Sequence, residues 1–103
     1  MALSAEKKHL CRSAGHALNP VVTIAGKGLT ENVLAETLRA LGDHELIKVR
    51  FAVGDREQRQ ALMVELCEKT AAELVQVIGK VALLYKKAKK PNPRLSNLIR
   101  YTK

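Results

Sequence analysis

The stretch "TIAGKGLTENVLAETL", residues 23–38, joins a predicted strand to a predicted helix through two glycines, and it decides the class of fold. The strand begins in "NPVVTI", because Pro20 biases Asn19 toward extended geometry and β-branched residues favour the pleat. Thr30 is a good N-cap for the helix, and Gly42 is placed to end it. The apolar residues of this helix recur at i, i+4 and i+7: Leu34, Leu38 and Leu41.

A second strand, "LIKVRFA", follows the helix and alternates cleanly. Ile47, Val49 and Phe51 point to one face, while Lys48 and Arg50 point to the other. This alternation predicts a strand with one buried face and one face in water.

The remaining elements surround this strand-helix-strand unit. Ser4 is expected to cap a first helix that runs to about Ala14 and ends at Gly15. Asp55 and Gln58 resemble a capping box for a third helix. The apolar stripe of that helix contains Leu62, Met63, Leu66 and Cys67, so Cys67 is expected to be a core residue. "LVQVI" and "VALLY" flank the pair Gly79-Lys80, which is typical of a tight hairpin.

The element order is therefore αβαβαββ, an α/β (α+β) single domain with one four-stranded mixed sheet. The second and third helices are expected to cover one face of the sheet. The last two strands are apolar on both faces, so the first helix or the C-terminal segment must shelter part of the opposite face.

Positive charge is concentrated at the C-terminal end. The 103 residues carry a net charge of +8, of which +1 belongs to residues 1–85 and +7 to residues 86–103. We therefore expect a domain over residues 1–85 and a basic tail over residues 86–103. "KKAKKPNPR" is predicted to be an extended arm for a polyanion such as nucleic acid, while "LSNLIRY" forms a short helical turn or docks on the domain. An acidic protein surface is the alternative partner of this tail.

The N-terminal "MALSAEKKHL" lacks the apolar block of a secretory signal, and "VALLY" is too short to span a bilayer. A cytoplasmic location is expected. Cys11 and Cys67 are then expected to stay reduced, and neither has the spacing of a CxxC motif.

The glycine loop does not match the known nucleotide-binding motifs. A P-loop requires G-x-x-x-x-G-K-[ST], but Val21 lies five residues before Gly26, and Gly28 follows Lys27. The Rossmann fingerprint also fails, because no third glycine follows at the required place. Two interpretations remain: a tight turn, or an anion clamp made of free N–H groups, the positive end of a helix and Lys27.

No enzyme is predicted. No Ser/His/Asp or Cys/His catalytic set can be identified. His9, Cys11, His16 and His44 are not spaced as a structural zinc site, so no metal and no cofactor are expected.

In their order, "HALNPVVTIAGKGLTENVLAE", "HELIKVRF", "DRE" and "VQVIGKVALLY" resemble the bacterial stand-alone form of the CRM (chloroplast RNA splicing and ribosome maturation) domain, the YhbY-like proteins. The resemblance covers roughly residues 3–86. It implies the αβαβαββ fold, similar to the C-terminal domain of a bacterial translation initiation factor. It also implies binding to RNA and association with precursors of the large ribosomal subunit.

The resemblance further implies an RNA-binding GxxG loop, analogous to that of KH domains, between the first strand and the second helix. The matching positions here are Ala25, Gly26, Lys27 and Gly28, so an alanine replaces the first glycine. Few aromatic residues are available for stacking, which favours recognition of RNA backbone and shape. The predicted RNA-binding residues are Gly26, Lys27, Gly28, Lys48, Arg50, Lys80, Lys7, Lys8, Arg12, Lys86, Lys87, Lys89 and Lys90.

Overall fold

The computed structural model describes residues 3–102, and within them the predicted αβαβαββ order is confirmed. A short helix follows the last strand. The elements are α1 (Ala5–Gly15), β1 (Pro20–Ile24), α2 (Glu31–His44), β2 (Leu46–Phe51), α3 (Arg56–Thr70), β3 (Glu73–Ile78), β4 (Val81–Tyr85) and α4 (Asn97–Thr102).

The strands form one mixed sheet in the order β1-β2-β4-β3. β1 and β2 are parallel, whereas β4 is antiparallel to both of its neighbours. The register of β2 is as predicted, because Ile47, Val49 and Phe51 are all at most 1% exposed on the face that packs against α2 and α3. Lys48 and Arg50 lie on the opposite face, where Lys48 is half-buried and Arg50 is exposed.

The helix starts agree with the capping residues. Ser4, Thr30 and Asp55 each accept a hydrogen bond from the backbone N–H three residues later, and Asp55 forms the predicted capping box with Gln58. These contacts satisfy N–H groups that a helix leaves without partners in its first turn.

Two details predicted for α2 are wrong. The helix passes Gly42 and ends at His44, and the capping residue Glu45 has φ 60° and donates its N–H to the carbonyl of Leu41 at 2.9 Å. Leu38 is 42% exposed, and Thr37 is buried in its place with its hydroxyl donating to the carbonyl of Val33. The buried face of α2 is thus rotated by about one residue from the predicted one. Thr37 can be buried because its hydroxyl has a hydrogen-bond partner within the helix.

The second face of the sheet is covered by both of the predicted candidates, α1 and the C-terminal segment. A Cβ atom at Gly15 would lie 2.7 Å from the Leu83 side chain, so glycine allows α1 to approach β4 closely. This smaller core contains Cys11, Ala14, Leu46, Val75, Leu83, Tyr85 and Leu98.

The C-terminal segment is not an extended arm throughout. Leu98 on α4 is 5% exposed, and Ser96 is fully buried. The side-chain amide of Asn97 donates to the carbonyl of Leu46 at 2.7 Å. Both alternatives given for "LSNLIRY", a short helical turn and docking on the domain, are observed, because Leu98 joins the smaller core while Leu95 and Tyr101 stay exposed.

Candidate nucleic-acid interface

The glycine loop forms a hydrogen-bonded turn. The N–H of Gly28 donates to the carbonyl of Ala25 at 2.8 Å, and the N–H of Thr30 donates to the carbonyl of Gly28 at 3.2 Å. Gly28 has φ 70°, in the left-handed region that favours glycine, whereas Gly26 does not have a positive φ. Ala25 can stand at the first position because its carbonyl, not its side chain, closes the turn.

The same loop exposes backbone donors at the N-terminus of α2. The N–H groups of Gly26, Lys27 and Leu29 donate no hydrogen bond to any atom of residues 3–102. No atom lies within 4 Å of a Cβ built on Gly26 or Gly28, so the loop is open to solvent. Free N–H groups and the positive end of a helix dipole together attract anions.

The glycine loop, residues 25–29, is one of three connections that meet at one end of the sheet, which we call the loop edge. The other two are residues 52–55 and the hairpin turn at residues 79–80. The N–H of Ala52 donates to the carbonyl of Ile24 at 2.8 Å, and that of Phe51 donates to the carbonyl of Lys80 at 2.7 Å. Only β2 separates β1 from β4, so these two strands are about 10 Å apart. Lys27 follows the first of them and Lys80 precedes the second.

Next to the loop edge, the face of the sheet on which α1 packs is only partly covered, and we call this part the open face; Leu83 is its one buried member, at the border with α1. Two rows of cross-strand neighbours form it. The upper row is Thr23, Arg50, Val81 and Ile78, and the lower row is Pro20, Lys48, Leu83 and Gln76. Among the predicted residues, the structure thus brings Gly26, Lys27, Gly28, Lys48, Arg50 and Lys80 to one end of the molecule.

The cations at this end have no carboxylate partner. Within residues 3–102, Lys69 and Glu65 form the sole ion pair, at 3.0 Å. Lys48 donates instead to the carbonyl of His16 at 3.3 Å. The positive charge near the loop edge is therefore available to an external anion.

Sequence reasoning missed two further cations near the hairpin. Arg56 and Arg59, in the first turn of α3, line a groove with Gly79. Arg59 donates to the carbonyl of Gly54 at 2.9 Å, which fixes it close to the loop edge. The "DREQR" stretch showed the capping box, but the pairing of β2 with β4 was needed to place these arginines beside the turn.

The other predicted residues lie elsewhere. Lys7 and Lys86 line a groove with Glu73 and Tyr85, at the opposite end of the sheet, which we call the tail edge. The ammonium of Lys7 is 5.3 Å from the centre of the Tyr85 ring. Lys8 and Arg12 are on α1, and a groove beside the C-terminal part of α2 is lined by Lys86, Lys87, Lys89 and Lys90.

Neither cysteine has the environment of a nucleophile. Burial raises the pKa of the Cys67 thiol to about 11, and the negative charge of Glu73 adds to the shift. Burial also raises the pKa of Cys11, which is inaccessible to solvent. Both thiols are therefore protonated near neutral pH.

The described residues offer neither a metal-ligand cluster nor a membrane-spanning helix. Between residues 3 and 102 no group of three or more His, Cys, Asp or Glu side chains could hold a metal ion. None of the helices described above has the length and apolar character needed to cross a membrane.

Comparison with known proteins identifies relatives over most of the chain. The profile of the CRS1 / YhbY (CRM) domain matches residues 3–86. A probable RNA-binding protein of Pseudomonas aeruginosa is 54% identical over 101 residues, covering 98% of this chain and 97% of that protein. An RNA-binding protein of Haemophilus influenzae is 46% identical over 84 residues, covering 82% of this chain and 85% of that protein.

The fold has a counterpart among solved structures. The solution structure of a Staphylococcus aureus protein, described as a candidate RNA-binding protein, matches with a TM-score of 0.75 and 32% identity, covering 86% of this chain and 93% of that one. These matches confirm the family resemblance, the fold and the prediction that the chain is not an enzyme.

Proposed function

Because the chain belongs to the CRS1 / YhbY (CRM) domain family, we propose that it is an RNA-binding protein that holds the RNA backbone at its loop edge. The relatives from Pseudomonas aeruginosa and Haemophilus influenzae are named as RNA-binding proteins, which supports RNA as the ligand.

One observation carries the proposed mode of binding: the turn at residues 25–28 has free N–H groups just before α2 and open space at Gly26 and Gly28. A phosphate at this point receives backbone hydrogen bonds and the attraction of the helix dipole. Lys27 adds a charge that no carboxylate of the described chain neutralises. This is how a strand-turn-helix unit binds a phosphodiester irrespective of its bases.

The remaining cations extend the interface. Arg50, Lys48 and Lys80 flank the loop edge, and we assign them contacts with neighbouring phosphates. Lys7, Lys8, Arg12 and the lysines of the tail form a second basic region, roughly 20 Å away along β4, that contributes contacts independent of sequence.

The RNA we propose is ribosomal, and the protein acts in the cytoplasm during maturation of the large ribosomal subunit. This follows from the family resemblance. The alternative is an acidic protein partner for the same exposed lysines of the tail; RNA is favoured over it because the relatives are named for RNA binding. Crosslinking in cells followed by sequencing of the attached RNA tests the ribosomal assignment, and fragments drawn mainly from other RNAs would contradict it.

The clamp itself is tested by comparing Gly28→Asp with Gly28→Asn. Asp and Asn have similar size and similar tolerance of the left-handed region, so both variants should lose a similar amount of stability. Only Asp places a negative charge where the phosphate binds. We expect Gly28→Asp to lower RNA affinity at least tenfold more than Gly28→Asn, or about 1.4 kcal/mol.

Melting temperature and RNA affinity are measured on both variants at one salt concentration. The RNA panel contains a fragment of the large-subunit precursor and an unrelated single strand of equal length. Because the proposed clamp contacts the RNA backbone and not the bases, the affinity for both RNAs should fall to a similar extent. A folded Gly28→Asp protein that binds RNA as the parent does would show that the turn has no role in binding.

A further inference from the structure

The open face contains a concavity of about 170 Å³ directly below the loop edge. Its floor and walls are apolar, formed by Pro20, Val81, Leu83 and the exposed side of Ile78. Ile78 is 59% exposed, an unusual degree for isoleucine in a sheet, since apolar side chains of this size are commonly buried. Ile78 and Val81 immediately flank the hairpin turn at residues 79–80, so the concavity begins at the loop edge.

The size of the concavity suits one flat ring system. A cavity of about 150 Å³ in another protein binds benzene, whereas pockets for drug-sized ligands begin at about 300 Å³. An apolar surface of this size therefore accommodates the faces of a single aromatic ring or base, and it is too small for a folded peptide element.

Two polar side chains, Lys48 and Gln76, also line the concavity. The ammonium of Lys48 is held by the carbonyl of His16 at 3.3 Å, which leaves further N–H donors free. Gln76 lies two strands away in the same row, with an amide that both donates and accepts. Apolar faces combined with donors and an acceptor at the edge match the chemistry of a nucleobase.

The charges around the concavity select a polyanionic strand. Neither row of the open face contains an acidic residue, and Arg50 lies in the upper row, next to the loop edge. Arg50, on β2, lies between β1, which precedes the turn at residues 25–28, and β4, whose Val81 lines the concavity.

We infer that the concavity between Lys48, Gln76 and Ile78 is a binding site for one unpaired RNA base, adjacent to the backbone clamp. This inference rests on the proposed RNA-binding function. The site gives the protein a preference for single-stranded nucleotides without an aromatic stacking residue. Gln76 is the residue that distinguishes one base from another.

The test compares a short single-stranded RNA with an RNA of the same length and charge in which every nucleotide is abasic. The backbone clamp should bind both, whereas the base site contributes only to the first. We expect the native protein to prefer the base-bearing RNA by about tenfold, from the apolar area that one base buries in the concavity. In Ile78→Ala the preference should fall below about threefold, while affinity for the abasic RNA stays unchanged.

Val77→Ala is the matched control. Val77 neighbours Ile78 on the same strand, is 41% exposed, and its cross-strand partner Ala82 belongs to the opposite face. This variant should keep the tenfold preference. A second variant, Gln76→Leu, should change the ranking of adenine, cytosine, guanine and uracil homopolymers at nearly constant affinity for abasic RNA.

The outcomes are distinct. Equal affinity of the native protein for base-bearing and abasic RNA would overturn the base site and leave the clamp standing. A full preference retained in Ile78→Ala would also overturn it. Failure to bind either RNA would contradict the proposed function itself, and with it the base site.

Discussion

Lysines and arginines lie at both ends of the sheet, but their surroundings differ. At the loop edge, backbone N–H groups are free and Arg50 and Lys80 are exposed. At the tail edge, the N–H groups of Lys86 and Ala88 donate to the carbonyl and the carboxylate of Glu45. Charge in the sequence therefore does not by itself distinguish the two ends; they differ in their backbone, which is an open glycine turn before a helix at one end and a segment held by Glu45 at the other.

Glu45 shows how the tail edge is closed. It is 3% exposed, and its carboxylate accepts hydrogen bonds from the N–H of Ala88 at 2.8 Å and from the hydroxyl of Ser96 at 2.7 Å. Its carbonyl accepts from the N–H of Lys86 at 2.9 Å. One residue thus ends α2 and holds the tail at three points, so the segment behaves as part of the domain.

The largest effect that separates the two ends is expected from deleting residues 86–103. Loss of Leu98 from the smaller core and loss of the partners of Glu45 should lower the free energy of unfolding by about 4 kcal/mol. For a domain of this size, the melting temperature should fall by about 15 °C or more. Thermal unfolding followed by circular dichroism measures it.

Its matched control keeps the segment and removes charge, with Lys87, Lys89 and Lys90 replaced by Gln in the full chain. These side chains are exposed, so stability should change by about 0.5 kcal/mol or less. The dependence of log K on log salt should flatten by about 0.7 for each lost contact with single-stranded RNA. A deletion variant as stable as the parent would contradict the structural role of the tail.

The next effect in size is expected from Glu45→Gln. A glutamine has one acceptor oxygen where the carboxylate has two, so Ala88 or Ser96 loses its buried acceptor. We expect a loss of about 2 kcal/mol in unfolding free energy, measured by urea denaturation. Asp43→Asn makes the same change of charge at an exposed position of α2 and should be nearly neutral. Equal stability of the two variants would mean that Glu45 does not hold the tail.

The smallest effect is expected from replacing one lysine at either end of the sheet. The two losses of RNA affinity show directly which end binds RNA. Lys27→Ala should weaken RNA binding by about 1 to 2 kcal/mol, the size of a charge-assisted hydrogen bond. Lys87→Ala removes the same charge at the tail edge and should cost about 0.5 kcal/mol or less, as expected for an exposed, screened contact. Titrations at one salt concentration measure both. A larger loss for Lys87→Ala would place the main RNA contact at the tail edge.

Those parts of the candidate site that depend on one short stretch of sequence were predictable. The turn before α2, the cap at Thr30 and the alternation of Lys48 and Arg50 against a buried face are local properties, and the structure agrees with them. Arg56 and Arg59 were not predictable, since their neighbour Gly79 lies about twenty residues later and is brought close by the sheet.

The amino-acid sequence by itself determined the order of the elements, the caps that begin the helices and the register of β2. These depend on local backbone preference and on the spacing of apolar residues. Tertiary structure decided that the charged segment after Tyr85 docks on the domain and that α1 leaves part of the sheet open. Both depend on contacts between distant residues, such as Glu45 with Ser96 and Gly15 with Leu83, whose complementarity exists only once the sheet has formed.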